Sequence, residues 1–166
     1  SISTKAPIST AALHHLAEIN RCLEDDGRGF VKVSVSLPTK YLIADIEPGT
    51  APYGTRLRNL EELSKLGIKT SVNLRPMLPF VPVKEYREII EDTVEISARY
   101  LVGPLYVDIT SPFFNRWIKG RYQTTVRRAV WASGQPLWHS VQDDGQKAAV
   151  AEIIRHSGGR VFESDD

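Results

Sequence analysis

The sequence contains almost no cysteine, no excess of either charge and no long apolar run. Cys22 is the single cysteine among 166 residues, so the chain cannot form an internal disulfide or hold a metal cluster by itself. The 21 Lys and Arg against 20 Asp and Glu give a net charge of +1, which provides no general field for attracting nucleic acid. No apolar run approaches the ~18–20 residues that cross a bilayer, and no targeting segment is present. We therefore expect a cytoplasmic protein that does not cross a membrane.

Short apolar runs alternate with helical patterns along the chain, whose length fits one domain of the usual ~100–200 residues. Apolar spacings of three and four between Gly and Pro breaks predict helices over 9–24, 55–66, 83–98, 115–120, 124–133 and 146–156. Runs rich in β-branched residues predict strands over 1–5, 30–37, 68–74, 100–107, 136–141 and 160–164. Because single helices separate most of the strands, we expect βαβ units and a parallel sheet.

Two predicted strands carry polar side chains on one face only. The polar positions are Lys32, Ser34 and Ser36 in the first, and Lys69, Ser71, Asn73 and Arg75 in the second. Parallel strands covered by helices on both faces are apolar almost throughout, so we expect one face to be open. A barrel or half-barrel whose lumen holds a ligand at the C-terminal strand ends explains this pattern. An edge or antiparallel sheet with one solvated face is the alternative.

An ordered series of short motifs follows the predicted strand ends. It consists of Thr4-Lys5-Ala6-Pro7, Val33-Ser34-Val35-Ser36, Glu47-Pro48-Gly49-Thr50-Ala51-Pro52, Arg56-Leu57, Leu66-Gly67-Ile68 and Arg75-Pro76-Met77-Leu78-Pro79. This series, spread over residues 2–107, resembles the later part of a radical SAM enzyme of the spore photoproduct lyase branch. Each motif is short, and it is their order that carries the resemblance.

The resemblance implies a fold for the chain. The family fold is a partial (β/α)6 barrel, whereas a whole TIM barrel needs about 250 residues. We therefore expect an α/β fold that forms an incomplete (β/α) TIM-like barrel, from its third strand onward, over 1–110. A C-terminal α/β extension over 111–166 is expected to pack on it.

The resemblance also implies contacts with S-adenosylmethionine. It implies that Lys5 contacts the carboxylate of this cofactor and that Ser34 lies near the same amino-acid moiety. The chemistry agrees, because an ammonium on a strand end is a natural partner for a carboxylate. Position at the polar strand ends adds Ser36, Asn73 and Arg75 as cofactor contacts, with Asn73 toward the adenosine.

The iron–sulfur motif of the family is absent from this sequence. The resemblance implies a CxxxCxxC motif holding a [4Fe–4S] cluster, which reductively cleaves the sulfonium to make an adenosyl radical. Such clusters are ligated by cysteine thiolates, and the single cysteine lies on the apolar face of helix 9–24, where we expect it to be buried. The chain also begins without Met, so we expect a fragment, inactive alone, whose missing N-terminal half supplies the cluster.

A basic and aromatic segment leaves a second class of function open. Its residues are Arg116, Trp117, Lys119, Arg121, Tyr122, Arg127, Arg128 and Trp131. Such residues can neutralise phosphates and stack on bases, as in a non-catalytic nucleic-acid-binding module. The alternative is a solvated helix face whose aromatic side chains pack inward.

Three charged residues permit other interpretations. Lys5 or Lys69 could form a Schiff base in an aldolase-like barrel lyase, which would require a lysine of depressed pKa. Glu47 could be a catalytic carboxylate at the barrel mouth. We favour a loop residue paired with Arg56 or Arg58, because no second carboxylate has a comparable position.

The first strand of an incomplete barrel has no partner on its outer side. Exposed strand edges invite association with other strands. We therefore expect the strand at 1–5 to pair with another chain, with a second copy in a homo-oligomer, or with the chain's own C-terminal strand.

Overall fold

The computed structural model describes residues 1–129, 133–134 and 136–163. Within these residues the helices are α1 Thr10–Asp25, α2 Ile43–Ile46, α3 Tyr53–Lys65, α4 Val83–Thr93, α5 Pro112–Trp117 and α6 Asp144–His156. The strands are β1 Ile2–Thr4, β2 Lys32–Ser36, β3 Lys69–Asn73, β4 Arg99–Leu101, β5 Leu105–Val107, β6 Thr125–Arg128, β7 Leu137–Val141 and β8 Arg160–Phe162. None of these helices is long and apolar enough to cross a membrane.

The main sheet has five parallel strands in the order β1-β2-β3-β4-β8. This arrangement confirms the α/β class and the parallel sheet predicted from the alternation of patterns. Local signals fix the helix ends: Ser9 Oγ accepts a hydrogen bond from the backbone N–H of Ala12 at the start of α1. Gly67, with φ of 72°, follows α3 in the left-handed conformation that glycine adopts most easily.

Helices cover the face of the sheet that carries the valines. Val33, Val35 and Val72 are fully buried in one apolar cluster together with Leu60 and Leu63 of α3. The alternation of side chains along β2 and β3 therefore gives the helix-covered face that the sequence predicted.

The opposite face carries buried serines. Ser34 lies opposite Ser71 in the register of β2 and β3, and their Oγ atoms are 2.5 Å apart. These two serines and Ser36 are at most 1% exposed, so this part of the polar stripe does not line the open lumen that the strand pattern predicted. Two small hydroxyl side chains can satisfy each other inside a fold, and a polar stripe therefore does not require an aqueous lumen.

The predicted strand over 100–107 is in fact two strands in different sheets. β4 belongs to the parallel sheet, and β5 belongs to an antiparallel sheet in the order β5-β7-β6. Pro104 lacks a backbone N–H and cannot continue a ladder. The side chain of Arg75 also lies against Gly103, where an added Cβ would be only 2.8 Å from Arg75 Cδ.

The helix predicted over 124–133 is wrong where the structure describes that segment. Thr125–Arg128 form β6, which pairs antiparallel with β7. β-Branched residues such as Thr125 and Val126 favour strands, and the pairing with β7 stabilises this choice. The remaining positions of that prediction include 130–132, which lie outside the described residues.

β1 and β8 form the two edges of the main sheet. β8 pairs with β4, so the chain's own last strand does not cover β1, although it was one of the partners expected there. Ile2 and Ile19 are 45% and 51% exposed, and Cys22 is exposed as well. The expectation of a buried Cys22 is therefore wrong, because no element within the described residues covers that part of the apolar stripe of α1.

Candidate functional site

Two clefts lie at the C-terminal ends of the strands of the main sheet. The larger, of about 480 Å³, contains Arg75 and Glu163 in its lining and is called the Arg75 cleft here. The smaller, of about 330 Å³, is lined in part by Lys5 and Glu47 and is called the Lys5 cleft. The two clefts share a wall formed by Pro76, Tyr106 and Trp138. Ligands of open α/β sheets bind outside this edge, so the clefts are the candidate site.

Lys5, immediately after β1, presents an ammonium group to the Lys5 cleft. Its Nζ lies 2.5 Å from Glu47 Oε1, and its side chain is 45% exposed. An ammonium has three donors, so a partly exposed one can bind a ligand as well as a protein carboxylate. The backbone of Lys5 is fixed by its carbonyl, which accepts a 3.2 Å hydrogen bond from the N–H of Ala51.

Arg56 of α3 is completely buried and donates hydrogen bonds to the loop after α2 and to the end of β2. Its Nη2 donates to Glu47 Oε2 at 2.7 Å and to Thr50 Oγ1 at 2.6 Å. Its Nε and Nη1 donate to the carbonyls of Ala51 at 2.7 Å and Ser36 at 3.0 Å. One guanidinium therefore fixes the loop after α2, the end of β2 and, through Glu47, the side chain at the end of β1.

This network shows which cations Glu47 pairs with. Glu47 pairs with Arg56, as we favoured from the sequence, and not with Arg58. It also pairs with Lys5, which the sequence did not indicate. Its side chain is 12% exposed, and its carboxylate lies between two cations, one fully buried and one at the cleft.

The two cofactor candidates on β2 do not line either cleft. Ser34 forms a hydrogen bond with Ser71 inside the fold, on the face of the sheet opposite the helix-covered one. Ser36 lies next to the clefts along the strand, and its buried Oγ has no hydrogen-bond partner within the described residues. A buried hydroxyl without a partner is unusual, because protein interiors satisfy nearly all such groups.

Asn73 is the last residue of β3 and lies next to Ser36 in the register, and Arg75 follows two residues later. Asn73 Oδ1 accepts a 2.9 Å hydrogen bond from the backbone N–H of Arg75. The Arg75 side chain crosses toward the far edge of the sheet, where Nη1 donates to the Glu163 carbonyl at 2.9 Å. The structure therefore places Lys5 and Arg75 in adjoining clefts and Asn73 beside the latter residue.

The turn after Arg75 is held rigidly by neighbouring elements. The N–H of Met77 donates to the Gly103 carbonyl at 2.9 Å, and the N–H of Leu78 donates to Tyr86 Oη at 2.8 Å. Gln146 of α6, which is buried, donates from Nε2 to the carbonyls of Leu78 at 3.0 Å and Val81 at 2.6 Å. Burial raises the pKa of Tyr86 well above its ordinary value, so the phenol stays neutral. Pro76, in the shared wall, consequently has a fixed position.

Tyr106 and Trp138 are functional candidates that sequence reasoning missed. They lie on β5 and β7, and the register pairs Tyr106 with Ser140, two residues from Trp138 on the same face. Alternation within these two short strands could have indicated the shared face. The pairing of the strands was hidden, however, because residues 100–107 were interpreted as a single strand of the main sheet.

The basic and aromatic segment divides into two parts. The Trp117 ring stacks on Phe80 with centroids 4.6 Å apart, and Tyr122 packs against the apolar core. These aromatic side chains therefore pack inward, as the alternative interpretation expected. Arg127 and Arg128 are exposed on β6 and line a polar cleft of about 740 Å³ together with Lys147 and others. Trp131 lies outside the described residues.

The Schiff-base alternative finds no support in the lysine environments. Lys69 Nζ lies 3.4 Å from the centroid of the Phe30 ring, and Lys5 is paired with Glu47. A Schiff-base lysine is activated by an apolar pocket or by a neighbouring cation, and neither contact is of that kind. Among the described residues no group of His, Cys, Asp and Glu side chains could hold a metal ion.

Comparison with solved structures gives a clear likeness in fold. A cysteine-to-alanine mutant of spore photoproduct lyase matches with a TM-score of 0.61 and 15% identity, over 96% of this chain and 49% of that chain. The chain is folded like spore photoproduct lyase. A double mutant of the same protein, solved with bound AdoMet and dinucleoside spore photoproduct, matches with a TM-score of 0.57 and 15% identity over the same shares. No protein-family model and no curated protein sequence matches the chain.

This similarity to solved structures shows the fold of the chain and nothing about its activity. At 15% identity it shows that the five-stranded parallel sheet and its helices resemble half of a spore photoproduct lyase, a radical SAM enzyme. The chain spans about half the length of the solved structures it matches.

Proposed function

We propose that this chain contributes the S-adenosylmethionine and substrate contacts of a radical SAM enzyme. The observation that carries the proposal is the half-exposed Lys5 ammonium at a cleft on the C-terminal edge of a sheet folded like spore photoproduct lyase. In that fold one similar structure has bound AdoMet. The ordered motifs at the strand ends, which include Lys5, support the same assignment.

The residues present fit this cofactor. Lys5 can donate to a carboxylate, and the unpartnered hydroxyl of Ser36 and the amide of Asn73 lie on the neighbouring strand ends. Arg75 lines the adjoining cleft, whose aromatic wall of Tyr106 and Trp138 suits a flat purine. The cofactor, when bound, would supply an adenosyl radical.

The residues present do not fit a [4Fe–4S] cluster. Cys22 is the single cysteine, and it lies on α1, three residues before the end of a helix that runs back toward the start of β2. We therefore propose that an N-terminal segment carries the cluster ligands. In this view residues 1–110 form a partial barrel from its third strand onward, and residues 111–166 form an extension.

Titration calorimetry with S-adenosylhomocysteine tests the proposal. Lys5→Ala removes the charge at the cleft, and we expect the affinity to fall about tenfold or more, since a charged hydrogen bond contributes about 1.5–3 kcal/mol. Lys65→Ala is the matched control, because it removes another ammonium that forms a 2.7 Å ion pair, with Glu62 on α3. Unchanged affinity in Lys5→Ala would reject the assignment.

A second candidate function is nucleic-acid contact through β6. It is favoured by one observation, the exposed Arg127 and Arg128 beside Lys147 in the 740 Å³ polar cleft. Removing a cation that neutralises a phosphate should weaken the binding of single-stranded DNA and reduce its salt dependence. Arg127→Ala with Arg128→Ala should show both effects, and an unchanged salt slope would exclude this surface.

A further inference from the structure

Basic residues begin four neighbouring strands of the main sheet. They are Lys32 of β2, Lys69 of β3, Arg99 of β4 and Arg160 of β8. The register pairs Lys32 with Lys69, and it pairs Arg99 with Arg160. Because the four strands are parallel, these residues form a row across the amino-terminal end of the sheet, opposite the end that carries the two clefts. We call these four residues the basic row.

The basic row lies on the face of the sheet opposite the helix-covered one. Lys32 and Lys69 precede the paired serines Ser34 and Ser71 by two residues, and side chains two apart on a strand share a face. Arg99 falls beside Ser71 in the register of β3 and β4, and its partner on β8 shares that face. The row therefore presents positive charge on one side of the sheet only.

Aromatic rings hold two members of the row against the sheet. Lys69 Nζ lies 3.4 Å from the centroid of the Phe30 ring. The guanidinium carbon of Arg99 lies 3.9 Å from the centroid of the Phe162 ring. Such contacts stabilise a cation over the face of the ring. These charges consequently lie close to the surface of the sheet.

The row lacks opposite charge in the part of the chain that the structure describes. Lys69, Arg99 and Arg160 take part in none of the ion pairs among those residues. Arg99 Nε is buried and finds no hydrogen-bond acceptor among them. Like charges directly opposite each other on neighbouring strands are destabilising, and buried polar groups normally have partners. A bound anion would offset this repulsion.

The dimensions of the row suit an extended peptide. Neighbouring strands lie about 4.8 Å apart, so the four strand starts span roughly 14 Å. An extended peptide rises about 3.3 Å per residue and turns every second side chain to the same face, so its acidic side chains can repeat about every 6.6 Å. A slender carboxylate side chain can approach cations that lie close to the sheet, whereas the phosphates of a nucleic acid are flanked by sugars and bases.

We propose that the basic row is a docking surface for an extended, acidic segment of a partner protein. The charge of such a segment is complementary to that of the row. The Phe30 side chain, which is 48% exposed, offers an apolar contact beside Lys69. The row lies at the opposite end of the sheet from both clefts, so this inference does not depend on the proposed function.

Fluorescence anisotropy with a labelled synthetic peptide, in which Glu alternates with Ser, tests the proposal. We expect the wild-type chain to bind this peptide at least about tenfold more tightly than the same peptide with Gln in place of Glu. The affinity should fall as salt is added, because exposed charges are screened. A wild-type chain that does not bind the Glu peptide at millimolar concentration overturns the proposal.

Lys69→Gln combined with Arg160→Gln removes the two exposed cations of the row. We expect the affinity for the Glu peptide to fall about tenfold, since each exposed ion pair contributes modestly. Arg58→Gln combined with Lys65→Gln is the matched control, because it removes an exposed arginine and an exposed lysine from α3 on the other side of the sheet. An equal loss in the two double variants, or no loss in the first, would show that the row is not the binding surface.

Arg99→Met provides a second test if the double variant does not fold. Methionine keeps an apolar side chain against Phe162 and removes both the charge and the unpartnered Nε. We expect a thermal midpoint at least as high as that of the wild-type chain, together with weaker binding of the Glu peptide. Wild-type affinity in Arg99→Met and in every folded variant of the row contradicts the inference.

Single-stranded oligothymidylate, titrated in parallel, identifies the kind of anion. We expect it to bind more weakly than the Glu peptide. Tighter binding that is lost in Lys69→Gln with Arg160→Gln would mean that the row takes a phosphate backbone, and an acidic protein segment would then be the wrong occupant.

Discussion

Arg56 determines much of the site although it does not touch either cleft. Its guanidinium is buried and donates to two carbonyls, a hydroxyl and a carboxylate that belong to different segments. A buried cation of this kind is tolerated because each donor has a partner. Arg56 thereby holds the strand ends and the Glu47 side chain in one arrangement.

We expect Arg56→Met to destabilise the chain by about 2–4 kcal/mol, since it leaves buried acceptors without donors. Arg58→Met provides a matched control on the same helix, because Arg58 is exposed and donates to Thr55 Oγ1 at 3.3 Å. Urea unfolding of both variants measures the difference. Equal stability of the two variants would show that the buried network is not structurally important.

At the scale of elements, the boundary between β4 and β5 creates the shared wall of the clefts. Gly103 lies at this boundary, and the Arg75 side chain passes over it on the way to the Glu163 carbonyl. A side chain at position 103 would displace Arg75. The sequence patterns did not reveal the boundary between β4 and β5. This boundary leaves room for the Arg75 side chain to reach the Arg75 cleft.

We expect Gly103→Ala to cost about 1–3 kcal/mol, because the new Cβ would lie 2.8 Å from Arg75 Cδ. The same substitution in an Arg75→Ala background should cost much less, since the clashing atoms are gone. A double-mutant cycle of unfolding free energies gives this coupling. A cost that is equal in the two backgrounds would mean that Arg75 does not pack on Gly103 in solution.

The same elements show what could be predicted from the sequence. Side-chain alternation in β2 and β3 and the apolar stripes of the helices predicted the parallel sheet, because both follow from local periodicity. The antiparallel sheet was missed, because β5 and β6 are short and their pairing with β7 is a long-range choice. Lys5 and Arg75 were placed at the clefts by their strand ends, whereas the Lys5–Glu47 contact depends on loop geometry that no pattern encodes.

At the scale of the whole molecule, the outer edge of β1 has no partner strand among the described residues. Among the described residues β1 pairs on one side only, and Ile2 and Ile19 near this end of the chain are about half exposed. The Cys22 prediction failed for the same reason, since an amphipathic stripe does not reveal which of its residues another element will cover. We propose that an N-terminal half of the fold, or in its absence a second copy, pairs with this edge.

We expect the chain alone to self-associate through β1 in analytical ultracentrifugation. Ile2→Lys should give monomers, because a charge on an edge strand opposes pairing. Ile109→Lys is the matched control, since Ile109 is 46% exposed against 45% for Ile2 and lies outside the strands. A wild-type chain that stays monomeric at high concentration would contradict this account of the edge.

The central claim is that the end of β1 binds the amino-acid end of S-adenosylmethionine. A crystal structure of the chain with S-adenosylhomocysteine tests it most directly. The account predicts the ligand carboxylate within about 3 Å of Lys5 Nζ. A ligand bound elsewhere, or one whose carboxylate points away from Lys5, would contradict it.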